Sequence, residues 1–196
     1  DNNKRDRLEI LYKVLGLQYD RPEKTTAREI ADRSPAFMEI FNRRQDEKCA
    51  LRLVPLQTGL PKLRVRGKTL KENLQWFSQQ DIDVDLYKAE IIPHCDNTLY
   101  SAIFVVNHDS VWGEIIPGPH WQLTQGWQES DKKIVTFLYQ KNCWHFTGGD
   151  TAIQNLTKEA VNKIMVKELE KQIILKQELQ AEFNTDNYIQ GYFEFV

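Results

Sequence analysis

The chain has 196 residues, with 26 Lys and Arg against 28 Asp and Glu, a net charge of −2 and a hydrophobic fraction of 41%. That length suits one domain, or one with a small appendage, and buries a core without a metal or disulfide staple. The composition excludes a disordered chain, and the near-neutral charge argues against bulk attraction to nucleic acid or anionic lipid.

No apolar run approaches the roughly 20 residues of a membrane-spanning helix, and the first ten residues hold no apolar signal segment. Cys49, Cys95 and Cys143 are odd in number and widely spaced, which matches neither a disulfide framework nor a zinc knuckle. A reducing, cytoplasmic setting is therefore expected.

In chain order, Leu8, Leu11 and Leu15 repeat with helical spacing beside Ile10, Val14 and Leu17, and Gly16 is a natural stop. Thr26 with Glu29 has the spacing of a capping box, and Ser34-Pro35 supplies an N-cap and a first helical residue. Residues 1–46 thus read as a helical N-terminal segment. The period then changes to two. Strands are expected at 49–54, 62–67, 86–92, 99–106, 111–116 and 134–139, with a capped helix opening at Thr69-Glu72. Thr157 is expected to cap one long helix running to Glu182, and an aromatic strand, Tyr188 to Val196, ends the chain. The layout is α+β, with a central antiparallel or mixed sheet in an α+β domain over 47–196.

The local feature richest in chemistry is basic. Lys62, Arg64 and Arg66 alternate along one strand and so share a face, with Arg52 on the strand before. Two readings are open: a solvated sheet face whose cations find acidic partners elsewhere, or a phosphate site matched to Arg forks. Glu90, Glu114 and Glu194 each sit in an apolar β run, facing either solvent or a hard metal such as Mg²⁺. His94, His108, His120 and His145 have no metal-ligand spacing. No G-x-S-x-G, Walker loop or H-E-x-x-H occurs, and the compact acidic signature of a metal-dependent nuclease is missing. Trp112, Trp121, Trp127 and Trp144 suit a core and its rim, with base stacking as the alternative.

Three segments, in order, carry a resemblance. Ala50-Leu51-Arg52-Leu53-Val54-Pro55 with Leu60-Pro61 looks like a degenerate V-R-S-S-A-T-A-E-D-L-P segment. Ser101 to Asn107, then Val111-Trp112-Gly113-Glu114 and Leu123-Thr124-Gln125-Gly126, resembles a small-residue strand with a G-E turn and a Gly-rich return. Leu156-Thr157 opening a helix, then Gly191-Tyr192-Phe193-Glu194-Phe195, is similar to a helix and a D-I-E-W strand.

Together, over residues 49–196, these resemble the ATP-grasp nucleotide-binding domain of the phosphoenolpyruvate synthase and pyruvate phosphate dikinase family. The resemblance implies ATP and Mg²⁺ as ligands and a phosphotransferase or ligase as the setting. It also implies phosphate contact by Arg52, a metal-binding role for Glu194 and a companion role for Glu114. Lys62, Arg64 and Arg66 are added as phosphate-side cations from their spacing. The chain departs from the family where Leu53 and Val54 replace two serines and where the acidic pair before Leu60-Pro61 is missing. The alternative expectation is a non-catalytic interaction module that binds RNA or an acidic protein through its basic sheet face.

Overall fold

The computed structural model describes residues 2–94, 98–119, 123 and 134–196. The chain is α+β, and its β-structure forms two separate antiparallel sheets rather than one central sheet. Contacts divide it into two compact units, Asp20–Asp96 and Asp1–Tyr19 with Asn97–Val196. This differs from the expected division at 46/47: the first helix belongs with the later sheet, and the next two helices belong with the earlier one.

The unit Asp20–Asp96 carries strand β1 (Glu23–Thr26), helices α2 (Ala27–Ala31) and α3 (Pro35–Arg44), strands β2 (Lys48–Pro55) and β3 (Leu63–Thr69), helix α4 (Leu70–Ser78) and strand β4 (Tyr87–Pro93). The sheet order is β1-β4-β2-β3. Alternation along β2 turns Cys49, Leu51 and Leu53 inward, where Ala27, Ile30, Phe37, Leu70 and Phe77 of the helices close over them. Local chemistry starts each helix as expected. Thr26 with Glu29 and Thr69 with Glu72 form complete capping boxes, and Ser34 accepts from the Phe37 N–H ahead of Pro35. Asn73 ties α4 to the sheet by donating to the Cys49 carbonyl at 3.1 Å. Burial there pushes the Cys49 thiol upward in pKa.

The other unit begins with α1 (Asn2–Leu15) and continues through β5 (Tyr100–Val106), β6 (Ser110–Pro117), β7 (Val135–Gln140) and β8 (Cys143–Phe146). Helices α5 (Thr151–Asn162) and α6 (Leu169–Leu179) follow, then β9 (Gly191–Phe195). Its sheet order is β8-β7-β6-β5-β9. The inward face, including Phe104, Val106, Val111, Phe137 and Tyr139, packs against Leu11, Val161, Ile164 and Leu175. Phe104 stacks between Phe193 and Phe195, with ring centroids 5.4 and 5.5 Å away. That packing requires Gly113 opposite Phe104, because a Cβ at 113 would lie 2.4 Å from the Phe104 Cβ.

The long helix expected from Thr157 to Glu182 is two helices, and Asp150 rather than Thr157 caps the first. The chain at 164–166 is drawn into strand-like pairing instead: Val166 N–H donates to Asn187 O at 2.9 Å and Ile189 N–H to Ile164 O at 3.1 Å. Ile164 and Val166 are both fully buried, so the apolar period runs through the break without marking it. Strands β1 and β8 were not expected from the sequence.

Candidate functional site

The expected site residues fall on both units. In the unit Asp20–Asp96, register aligns Lys24 with Glu90, Glu90 with Arg52, and Arg52 with Arg64 in one row across all four strands. These positions alternate with the core residues, so the row lies on the face away from the helices. Arg52 stands directly opposite Arg64, a like-charge pairing that disfavours the sheet, and Glu90 on its other side offsets this. The Arg52 Nη1 to Glu90 Oε2 distance is 3.3 Å, with both side chains largely shielded. Arg52 therefore follows the bland alternative, a cation satisfied by a neighbouring carboxylate.

The remaining cations do not. Arg64 and Arg66 are exposed on β3, the edge strand, and Lys62 is exposed just before it. Among the described residues none of the three makes an ion pair, so the acidic partners of the bland reading are found for Arg52 alone. A bulge with Gly67 at φ 76° offsets Arg66 from the regular ladder.

The two carboxylates expected to bind metal lie on one sheet of the other unit. Ile103 on β5 pairs with Glu114 on β6 and with Glu194 on β9. Glu114 also aligns with Thr136, whose hydroxyl lies 2.7 Å from that of Thr147. Because Phe193 and Phe195 enter the core, Glu194 faces the opposite side, as β-alternation predicts. Glu114 and Glu194 thus share one sheet face, two strands apart, or about 10 Å between Cα atoms.

Glu194 is already engaged. Lys4 of α1 donates to its Oε2 at 2.9 Å, and the Tyr192 hydroxyl donates to its Oε1 at 3.2 Å. Burial first, and the Glu194 charge second, push the Tyr192 phenol upward in pKa. Glu114 makes no ion pair among the described residues. Mg²⁺ takes one or two protein carboxylates and fills its shell with water and phosphate oxygens, so Glu114 is the carboxylate open to such an ion while Glu194 is held by Lys4. No group of three or more His, Cys, Asp or Glu converges as a metal site among the described residues.

One row along the same face stands a feature that the single sequence assigned mainly to the core. Tyr192, Val105, Trp112, Leu138 and His145 align across all five strands. Tyr192 is 55% exposed, Trp112 50% and Leu138 36%. The signal was the odd–even alternation of these residues with Phe193, Phe104 and Phe137, but joining them into one row needs the register between strands. Trp144, in contrast, packs onto the core as expected. His94, His108 and His145 form no cluster. Cys95, His120, Trp121, Trp127 and the expected return at 124–126 lie outside the described residues. A depression of ≈ 430 Å³ lined by Asn162, Met165, Lys167 and Glu168 holds none of the expected site residues. Neither a protein-family model nor a curated protein sequence matches the chain.

Proposed function

We propose that the chain is a Mg²⁺-ATP-binding module of the ATP-grasp type, one working part of a cytoplasmic phosphotransferase or ligase. The observation that supports this reading is the carboxylate row: Glu114 and Glu194 flank Ile103 on one face of one sheet. If both side chains turned toward the space over Ile103, Glu114 and Glu194 would hold the metal, which would supply neutralisation of phosphate oxygens, the charge stabilisation on which phosphoryl transfer depends. The phosphate-side cations expected from the sequence, Lys62, Arg64 and Arg66, stand on the other unit, so this reading rests on the carboxylates and the cations are tested separately. Arg52 contributes less, because Glu90 already balances it.

Thermal unfolding with and without Mg²⁺-ATP tests the reading. A ligand that binds only the native state at 100 times its Kd adds about 2.7 kcal/mol of stability. Glu194→Gln should abolish most of the Mg²⁺ dependence while leaving the ligand-free melting point almost unchanged. Lys4→Gln should act in the opposite direction, freeing Glu194 from its ammonium partner and tightening the metal. Arg64→Ala should weaken nucleotide binding by about 1.5–3 kcal/mol, the range for a charge-assisted hydrogen bond. A parent protein whose stability ignores Mg²⁺-ATP overturns the reading.

The three cations, which make no ion pair among the described residues, also support a second reading, an interaction module that binds RNA or an acidic protein along β3. Such binding would fall steeply with salt, in proportion to the number of phosphates contacted, and would not require Mg²⁺.

A further inference from the structure

The aromatic row deserves a partner of its own. An antiparallel sheet commonly turns polar side chains to solvent on the face away from its core. Here that face presents Tyr192, Trp112 and Leu138, each more than a third exposed, on the half-buried floor residues Val105 and Ile103. Exposed apolar side chains gathered in one row, rather than scattered singly, are what an interaction site requires. Tyr and Trp are also the residues that most often anchor protein interfaces.

The charge beside the row identifies the occupant. Glu114 and Glu194 run parallel to it in the adjacent row, about 7 Å away along the strands. The group already resting on Glu194 is the ammonium of Lys4, an alkyl chain ending in a cation. With Glu194 held by Lys4, Glu114 is the rim carboxylate left to a partner, and the aromatic and aliphatic strip beside it complements an apolar segment that carries Lys or Arg. Long basic side chains lay their methylenes on apolar surface while the charged head reaches an acid. Arg and Lys also gain from the faces of Trp and Tyr.

We infer that this sheet face docks a basic, apolar segment of a partner protein, with Trp112, Tyr192 and Leu138 as its apolar anchors and Glu114 as its charge contact. The inference goes beyond the nucleotide reading. Because the two ligands would share Glu114, they exclude one another.

The test uses the full chain and an amidated peptide of alternating arginine and leucine, with titration calorimetry as the readout. Controls replace arginine by glutamate, or leucine by serine. The expected result is saturable binding of the Arg-Leu peptide and at least tenfold weaker binding of both controls. Trp112→Thr and Leu138→Thr, which keep strand-favouring residues at half-exposed positions, should each lose affinity several-fold. Glu114→Lys should lose tenfold or more, and Glu114→Gln less. Far-UV circular dichroism and melting points establish that the variants are folded, and the two threonine variants back each other up. No binding to the parent, equal binding of the glutamate peptide, or binding unmoved in both threonine variants overturns the proposal. Concentration-dependent self-association of the parent that Trp112→Thr abolishes also overturns it, since a second copy would then be the occupant. If Mg²⁺-ATP binds and the peptide does not, this inference fails while the nucleotide reading stands; the reverse result separates them the other way.

Discussion

The two units share a plan, an antiparallel sheet with helices over one face, yet treat the other face in opposite ways. The unit Asp20–Asp96 covers its outer face with a charged row, Lys24–Glu90–Arg52–Arg64, in which the central carboxylate sits beside a cation on either strand. The unit containing β5 to β9 sets out Tyr192–Val105–Trp112–Leu138–His145 instead. In both, the inward face is packed with apolar residues at buried positions. Core packing therefore does not dictate what the outer face carries, and the chemistry of that face is where the units diverge. Three cations on one unit and an aromatic strip with two carboxylates on the other are the features that packing leaves unexplained.

The comparison breaks most visibly at the cores. Leu51→Ala removes a fully buried side chain from under α2 to α4 and should cost about 2–5 kcal/mol. Denaturant unfolding, followed by amide signals assigned to each unit, should place that loss in the unit Asp20–Asp96. Gly113→Ala is the counterpart in the other unit. Its new methyl must displace Phe104 or the β5 backbone, and overpacking of this kind costs about 1–3 kcal/mol. Loss of the stacked rings around Phe104 would appear in near-UV circular dichroism.

The outer faces should respond more weakly, and differently from each other. Glu90→Gln leaves Arg52 opposite Arg64 without its counter-charge and should cost about 0.2–1 kcal/mol, more at low salt than at high. Trp112→Thr should change stability within about 0.5 kcal/mol, because its ring is half exposed and the change keeps a strand former. A large loss in the Trp112 variant would make that ring structural and weaken the contrast between the faces.

Acid should produce the smallest difference. Hydrogen bonds from Thr25 and then Thr26 hold the Glu29 carboxyl below its ordinary value of 4.5, and the Thr69 backbone and hydroxyl do the same for Glu72. Arg28 lowers Asp85 in the same unit, while Lys171 lowers Glu168 in the other. A depressed folded pKa means the stabilisation is complete above the unfolded value and fades as pH falls through the folded one. Amide exchange as pH is lowered below about 4.5 should therefore loosen the first turns of α2 and α4 before that of α3, which the Ser34 hydroxyl caps. Equal loosening of the three helices would remove this distinction.

What the sequence revealed was what neighbours in sequence decide. Thr26-Glu29, Ser34-Pro35 and Thr69-Glu72 start helices through contacts within four residues, and all three were legible. So was the alternation that separates Glu194 from Phe193 and Phe195. β1 escaped notice because Glu-Lys-Thr-Thr has no apolar alternation of its own; it is a strand because β4 lies beside it. β8 follows a turn in which Lys141 and Asn142 both take positive φ without a glycine to announce it. The break between α5 and α6 is imposed by pairing with 187–189, more than twenty residues onward. The site was half legible for the same reason. Single residues could be nominated, but the meeting of Glu114 with Glu194, and of Trp112 with Tyr192, depends on β9 pairing with β5 from far along the chain.

That last pairing also sets the order in which the chain can acquire its shape. The segment Asp20–Asp96 is continuous, and all its strands are in hand once β4 has been made. The other unit gathers its first helix from before that segment and its last strand from the far end. During synthesis from the N-terminus, the continuous unit can fold as soon as it clears the ribosome. The other must wait with the β5 edge unpaired and Phe104 missing both of its stacked neighbours. Closing a contact across roughly 90 residues is slow compared with forming a hairpin. Until β9 is made, the outer edge of β5 is an unpaired strand edge of the kind that templates wrong pairing.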